Sequence, residues 1–547
     1  MLAMMQSSGM QVQEEGGPDQ PIAPLSLATA AFVGRTLRGP VGQATRVRSF
    51  ADFQQVFGGL WQPSTLSYAV EHFFDNGGAE ALVVRVHNGA RPATLSLPAG
   101  DETLRLQAVR PGTREFLRAC VDYDNIVPGQ LRNFNLTLQR IRIQGTVRIE
   151  DQETWRNVSL DPLAETWIAR MLADSQLMVP VAPFPSQRPE PTPDPVTGLP
   201  TGYVHANSDG DDGAPVTDYD LIGSGVERTG IFALGDADDF NFLCIPPISR
   251  TQDVGPGTLL VAARVCRERR ALLIVDPPAA WATADDALAG LRDWELASED
   301  AVMFFPRILA HDRLRGRFEA FAPCGAVAGM LAKAAGGMAA LASADAEEPV
   351  LRPGFRPVCA VPEDRRARLA AHGVNTLQTL RAPVPSSLRL RTLAAANAAA
   401  PDWRYLGTRR FALALLNSVE RATRWVAVAG ARPGVAAQLE AQVRRFFGEL
   451  HAAGMFGALR PEDAWYVVAD RRIEEQTDRA RQEIHFLVGF AAGRPGEFHS
   501  FRISHSLRGS QVRAVTMNQL QDPRPQSPAV SAPAPQLEAA RPYRRSL

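Results

Sequence analysis

Between residues 219 and 310 short apolar runs alternate with amphipathic stretches, and this alternation constrains the fold more than any other feature of the chain. Residues 240–245, 271–275 and 302–305 have strand length and composition, while 257–269 and 284–296 carry helical spacing. Strands that alternate with helices pair in parallel and need cover on both faces, so a doubly wound α/β sheet is predicted. A similar unit precedes it. Residues 30–33 read as a buried strand, closed by Gly34 and the Arg38-Gly39-Pro40 turn. Ser64 then caps a helix with Leu66, Ala69, Val70, Phe73 and Phe74 on one face, and Asn76-Gly77-Gly78 ends it. Residues 81–86 follow as an apolar strand broken only by Arg85.

Residues 90–160 show the two-residue alternation of β-structure, a tryptophan-containing helix is expected over 163–172, and the proline-dense 180–200 reads as an extended surface loop. An alanine-rich helix is expected over 326–342. Towards the C-terminus, Phe411, Leu415, Val419 and Ala422 form one helical face and Leu439, Val443, Phe446, Phe447 and Leu450 another. Three apolar strands, 464–468, 485–490 and 498–503, come next, predicting two helices on a small antiparallel sheet with open edges. Residues 1–24 are polar and acidic, with a short alternating piece at Met10, Gln11, Val12, Gln13 and Glu14. From Arg508 onward the chain turns proline-rich and is expected to be disordered.

Chemistry is harder to place. The 547 residues carry 58 basic and 59 acidic side chains, a net charge of -1, which argues against nucleic-acid binding and tolerates self-association. Lys333 is the only lysine and follows Ala332, so no phosphate-gripping GxxxxGK[ST] loop exists. Cys120, Cys244, Cys266, Cys324 and Cys359 form no C-x-x-C pair, which suits reduced thiols in a cytoplasm. The first twenty residues lack the cationic start of a signal peptide, and no apolar run has the length of a membrane span. A hydrolase search finds Gly223-Ser224-Gly225, without the spacing of a nucleophile elbow, besides His311-Asp312 and Asp276. Asp209-Gly210-Asp211-Asp212-Gly213 has the carboxylates of a calcium loop but misplaced glycines, and reads as a turn. The nine histidines include no H-E-x-x-H, so no catalytic residue, cofactor or metal is predicted.

Several blocks nevertheless look familiar when taken in order. The stretch Leu25-Ser26-Leu27-Ala28-Thr29-Ala30-Ala31-Phe32-Val33-Gly34-Arg35-Thr36, then Ser49-Phe50-Ala51-Asp52-Phe53, Phe57-Gly58-Gly59-Leu60 and Phe73-Phe74-Asp75-Asn76-Gly77-Gly78, resembles the opening of contractile tail sheath proteins. These build phage tails, R-type tailocins and extracellular injection systems. Phe240-Asn241-Phe242-Leu243-Cys244-Ile245-Pro246, Cys324-Gly325-Ala326-Val327-Ala328-Gly329 and Gly373-Val374-Asn375 resemble the family's subtilisin-like domain. Trp403-Arg404-Tyr405-Leu406-Gly407-Thr408-Arg409-Arg410, Gly454-Met455-Phe456-Gly457 and Ala464-Trp465-Tyr466-Val467 resemble its C-terminal domain.

The resemblance implies an α/β and α+β multidomain protein with these parts: an N-terminal arm (1–24), the N-terminal part of a sheath core domain (25–89), a β-rich insertion with the proline loop (90–200), a subtilisin-like α/β domain (201–385), the C-terminal sheath core domain of helices on a small open-edged sheet (386–507), and a disordered tail (508–547). It implies a non-enzymatic subunit, made in the bacterial cytoplasm, that polymerises helically around an inner tube and contracts to drive it through a target envelope. The implied partners are copies of itself, the tube protein, and baseplate and terminator proteins. Its arms would add strands to neighbouring subunits. Here Met10–Glu14 are assigned as the N-terminal arm strand and Phe498, His499, Ser500, Phe501, Arg502, Ile503 and Ser504 as the C-terminal arm or its adjoining strand, with Arg409, Arg410, Arg444 and Arg445 as candidate inner-tube contacts.

Overall fold

Apolar runs buried on both faces can satisfy their backbones only side by side, and here they assemble into one largely parallel sheet. The computed structural model describes residues 17, 19–194, 197–199, 202–237, 239–334, 350–379, 389–395, 402–430, 432–456, 458, 460–469, 483–492 and 497–515. They fall into two compact units, one of residues 24–417, the other of residues 1–23 with 418–547. The division lies within the helix Leu406–Ala422.

In the larger unit the sheet has seven strands, in the order Val374–Thr376, Ala301–Phe305, Leu272–Val275, Phe242–Cys244, Thr29–Gly34, Glu80–Arg85 and Thr45–Val47. Only the last is antiparallel to its neighbour. Ala30, Phe32, Val83, Phe242 and Cys244 face a core under the helices Phe50–Phe57, Thr65–Asp75 and Cys324–Ala334, while Ala31, Val33, Leu82, Leu243 and Ile245 belong to a second core with residues of Pro256–Arg269 and Ala284–Gly290. Both sets of alternate residues are buried, which is why these strands read as continuous apolar runs. Ser49 caps Phe50–Phe57 by accepting from Asp52 N–H at 3.0 Å, and Ser64 caps Thr65–Asp75 from Ser67 N–H at 3.0 Å.

The sheet crosses the expected domain boundaries. Residues 29–85, assigned with 386–507 to one core domain, share a sheet with 242–376, and 24–417 form one unit. A strand-helix-strand pattern specifies parallel pairing but not which neighbour completes the row. The insertion is β-rich: a three-stranded sheet (Pro92–Ala99, Glu102–Pro111, Met178–Val181) and a four-stranded one (Val204–His205, Leu117–Asp122, Asn133–Gln144, Thr146–Ser159) bury a common leucine-rich core. The tryptophan helix shrinks to Ile168–Met171 with a 3-10 turn behind it. Asp161 accepts from Leu163 N–H at 3.0 Å, and that local turn competes with an earlier helix start.

In the smaller unit, the helices Trp425–Ala429, Val435–Ala452 and Pro461–Ala464 accompany an antiparallel sheet in the order Trp465–Val468, Ile484–Phe490, His499–Ser506, Gly509–Val515. The last strand corrects the expectation that the tail is disordered from Arg508. Residues 509–515 carry a hairpin strand, and the remaining tail lies outside the described residues.

Candidate assembly interface

The place where such a sheet would hold a ligand is filled largely by side chains. The strand order reverses between Thr29–Gly34 and Phe242–Cys244, and ligands of open α/β sheets bind beyond the carboxyl ends at such a reversal. There the chain is packed shut. Arg250 lies 5.0 Å from the ring centre of Tyr68 and 4.6 Å from that of Phe321, and donates to Asp312 at 2.6 Å. The remaining cavity is about 20 Å³, room for one water. Asp312 also accepts from the Tyr68 hydroxyl at 3.1 Å, and burial followed by that carboxylate pushes the Tyr68 phenol up to about 12.

The hydrolase candidates serve separate local structures. Asp276, pushed up to about 6 by burial, caps the helix Cys324–Ala334 by accepting from Cys324 N–H at 2.7 Å. Ser224 accepts from Glu227 N–H in a turn, and the His311 ring packs edge-on against Phe318. In the acidic loop, Asp209 accepts from the Thr94 amide and hydroxyl, Asp212 from those of Thr113, and Asp211 from Gly213 N–H. These carboxylates stitch the loop to the insertion. Among the described residues no group of His, Cys, Asp and Glu could hold a metal, and no helix is long and apolar enough to cross a membrane.

The smaller unit offers a different kind of site. In its sheet Tyr466 pairs with Gly489, and a Cβ on that glycine would meet the Tyr466 ring at 2.1 Å. The Tyr466 and Ser500 hydroxyls are 2.5 Å apart, tying the first strand to the third. Buried His505 spans further: Nε2 lies 2.8 Å from the Thr423 hydroxyl and Nδ1 2.7 Å from that of Ser510. Phe447 of the helix Val435–Ala452 packs on Phe456 and Trp465 at 6.1 and 5.5 Å. Among the described residues, Trp465–Val468 and Gly509–Val515 are each paired on one side only. An edge with unpaired N–H and C=O groups is a template for another strand.

The assigned arm residues map unevenly onto this sheet. Met10, Gln11, Val12, Gln13 and Glu14 lie outside the described residues. Residues 499–504 form most of the strand His499–Ser506, which pairs with Ile484–Phe490 on one side and Gly509–Val515 on the other, while Phe498 packs against Tyr466 at 5.4 Å. An interior strand has no free edge to donate, so for 498–504 the arm alternative is corrected and the adjoining-strand alternative fits the pairing. Its apolar alternation could not reveal this, because the added strand Gly509–Val515 is polar and alternates only weakly.

Two of the four arginines are likewise corrected. Arg409, 7% exposed, donates to fully buried Asp300 at 2.5 Å and lies 3.3 Å from Glu299. Arg410, also 7% exposed, donates to the Leu331 carbonyl at 2.9 Å and lies over the Phe242 ring, and burial pushes its guanidinium down to about 10. Both hold the helix Leu406–Ala422 to the larger unit's core and are closed to a tube. Arg444, paired with Glu440 at 2.7 Å and donating to the Val467 carbonyl at 3.1 Å, and Arg445 are exposed.

No family model and no curated protein matches this sequence. Among solved structures, a sheath tail protein from Listeria innocua matches with a TM-score of 0.58 and 13% identity, covering 89% of this chain and 97% of that one. A sheath tail protein from Desulfitobacterium hafniense (TM-score 0.49, 11% identity, 89% and 98% covered) and the contracted PVC sheath complex of an extracellular contractile injection system (0.49, 13%, 91% and 97%) also match, too loosely to carry argument. Over about nine tenths of its length, this chain has the fold of a sheath tail protein.

Proposed function

We propose that the chain is the structural subunit of a contractile sheath, polymerising helically around an inner tube and contracting to drive it through a target envelope. The observation that carries this is a four-stranded sheet with two open edges, in a unit that also anchors the chain's N-terminal segment, within a sheath tail fold. An antiparallel edge turns alternate residues outward, so Gly509–Val515 presents about three or four of them to a guest strand. At ~0.5–1.5 kcal/mol per hydrogen bond the gain is several kcal/mol, largely offset by ordering the guest. Single links are therefore weak, and a lattice that keeps each neighbour at high effective concentration makes them persist. Contraction is then a rigid-body rearrangement of subunits with the strand links retained.

In this reading the seven-stranded sheet is the counterpart of the subtilisin-like layer without its chemistry, which the filled reversal point supports. Partners are copies of the chain, a tube protein met by Arg444 and Arg445, and baseplate and terminator proteins. Synthesis is cytoplasmic, followed by assembly into a phage tail or tail-like particle. Negative-stain microscopy of the purified chain tests the reading: striated helical tubes are expected. Discrete rings of fixed number would replace it with a baseplate or adaptor role, and labelling by a serine-reactive probe with a hydrolase.

A further inference from the structure

Gly17 and Gln20 are held at a defined point of the smaller unit. Gln20 N–H donates to the Gly17 carbonyl at 3.1 Å, closing a turn. Gln442, in the helix Val435–Ala452, reaches this turn: its Nε2 donates to the Gly17 carbonyl at 3.1 Å and to the Gln20 carbonyl at 2.8 Å. Its Oε1 accepts from the Trp425 indole at 3.0 Å. Gln442 is 3% exposed and Trp425 9%. An indole N–H only donates, so the amide oxygen must face Trp425 and both amide hydrogens face the carbonyls. If this position served helix packing alone, a leucine or methionine would fill it without burying an amide. Instead, the amide is spent on main-chain groups 425 and 422 positions away in sequence.

We propose that Gln442, oriented by Trp425, is an anchor that fixes where residues 1–16 leave the subunit and thereby which neighbouring copy of this chain they reach. The identity of the partner rests on the sheath reading above; the anchor itself does not. Sixteen extended residues reach at most roughly 55 Å. Opening the anchor would let the chain pay out to buried Ile22, adding residues 17–21 and roughly 17 Å of reach. Longer tethers lower effective concentration and bring wrong neighbours within range. Gln442 is thus a positioning residue for assembly and contributes no contact to the strand link itself.

Gln442→Glu keeps an acceptor for Trp425 but sets a carboxylate against two carbonyls, and Gln442→Met keeps the packing without polar contacts. In the full chain, hydrogen exchange at the Gln20 amide, whose bond to the Gly17 carbonyl the anchor holds in place, is expected to quicken at least tenfold in both variants, with amides of Ile484–Phe490 and the melting temperature little changed. Tube yield or regularity by electron microscopy should fall in parallel. Unchanged exchange at the Gln20 amide in Gln442→Met overturns the anchor, and faster exchange with tubes of wild-type yield and order overturns its role in assembly. If Gln442→Glu unfolds, Trp425→Phe, which removes only the orienting donor, takes its place. Wild-type chain that forms no tubes defeats the sheath reading and the choice of partner, while exchange still decides the anchor.

Discussion

At the scale of single residues, the C-terminal four-stranded sheet depends on Gly489. Any side chain there would have to move the Tyr466 ring, which also holds the Ser500 hydroxyl and packs edge-on against Phe498. Gly489→Ala is expected to destabilise the unit by about 1–3 kcal/mol, read from the denaturant midpoint. In a Tyr466→Ala background the same change should cost little, because the clash is gone. A glycine inside an apolar run signals a close approach from sequence alone, but which ring approaches is decided by register. Glu71 and His72 lie side by side in the helix Thr65–Asp75 and are just as silent in the sequence. Burial pushes the Glu71 carboxyl from 4.5 to about 7, against the pull of Arg313 at 3.2 Å, and pushes the His72 ring from 6.5 to about 3, with Arg250 and Arg313 adding to it. The fold favours protonated Glu71, so that contribution is complete below pH 4.5 and lost as pH rises through about 7. It favours neutral His72, so that one is complete above pH 6.5 and lost as pH falls towards 3. Glu71→Gln should therefore gain stability relative to wild type between pH 4.5 and 8, measured by thermal melts across that range. A constant offset would mean Glu71 is charged throughout.

At the scale of elements, the helices Thr65–Asp75 and Cys324–Ala334 meet through two glycines. A Cβ on Gly325 would stand 2.0 Å from the Ala69 carbonyl oxygen, and one on Gly329 2.3 Å from that of Phe73. Alanine in an exposed helix would help by about 1 kcal/mol. Here the backbone of the neighbouring helix occupies the space, so the sign reverses. Gly325→Ala and Gly329→Ala are each expected to cost about 1–3 kcal/mol, by urea unfolding. The Cys324-Gly325-Ala326-Val327-Ala328-Gly329 block, a marker of resemblance in the sequence, thus has a physical reason in the closeness of two helices. A buried ion pair secures a third helix. Arg409→Met leaves Asp300 buried with Arg267, 66% exposed, at 3.3 Å, and should cost about 3–5 kcal/mol. Adding Asp300→Asn should recover part of it. Periodicity had placed this helix well, but Arg409 and Arg410 look like solvated charges until the partner carboxylate and carbonyl come from 109 and 79 positions away.

At the scale of the whole molecule, length and alternation were enough to see α/β layers, a β-rich insertion and a small C-terminal sheet with open edges. They were not enough to see that the first strands join the middle sheet, because a parallel row can be extended from either end by any strand of suitable length. Nor did they decide between arm and adjoining strand for 498–504, which is apolar and near the end, whereas pairing on both sides makes it interior. In the proposed reading the N-terminal segment is the donor, and this makes a sharp prediction. Deleting residues 1–16 would remove that proposed donor and keep both the Gln442 contacts and, among the described residues, the two open edges. The truncated chain should melt like the wild type and form no tubes. It should also poison growth: it can still accept a neighbour's strand but offers none onward, so each one incorporated ends a chain of links. Tube length in mixtures should then fall steeply at truncated fractions well below one half, measured by electron microscopy. If length instead follows the wild-type concentration alone, truncated chains are not being accepted, and if truncated chains grow normal tubes, strand donation from the N-terminus is not what joins the subunits.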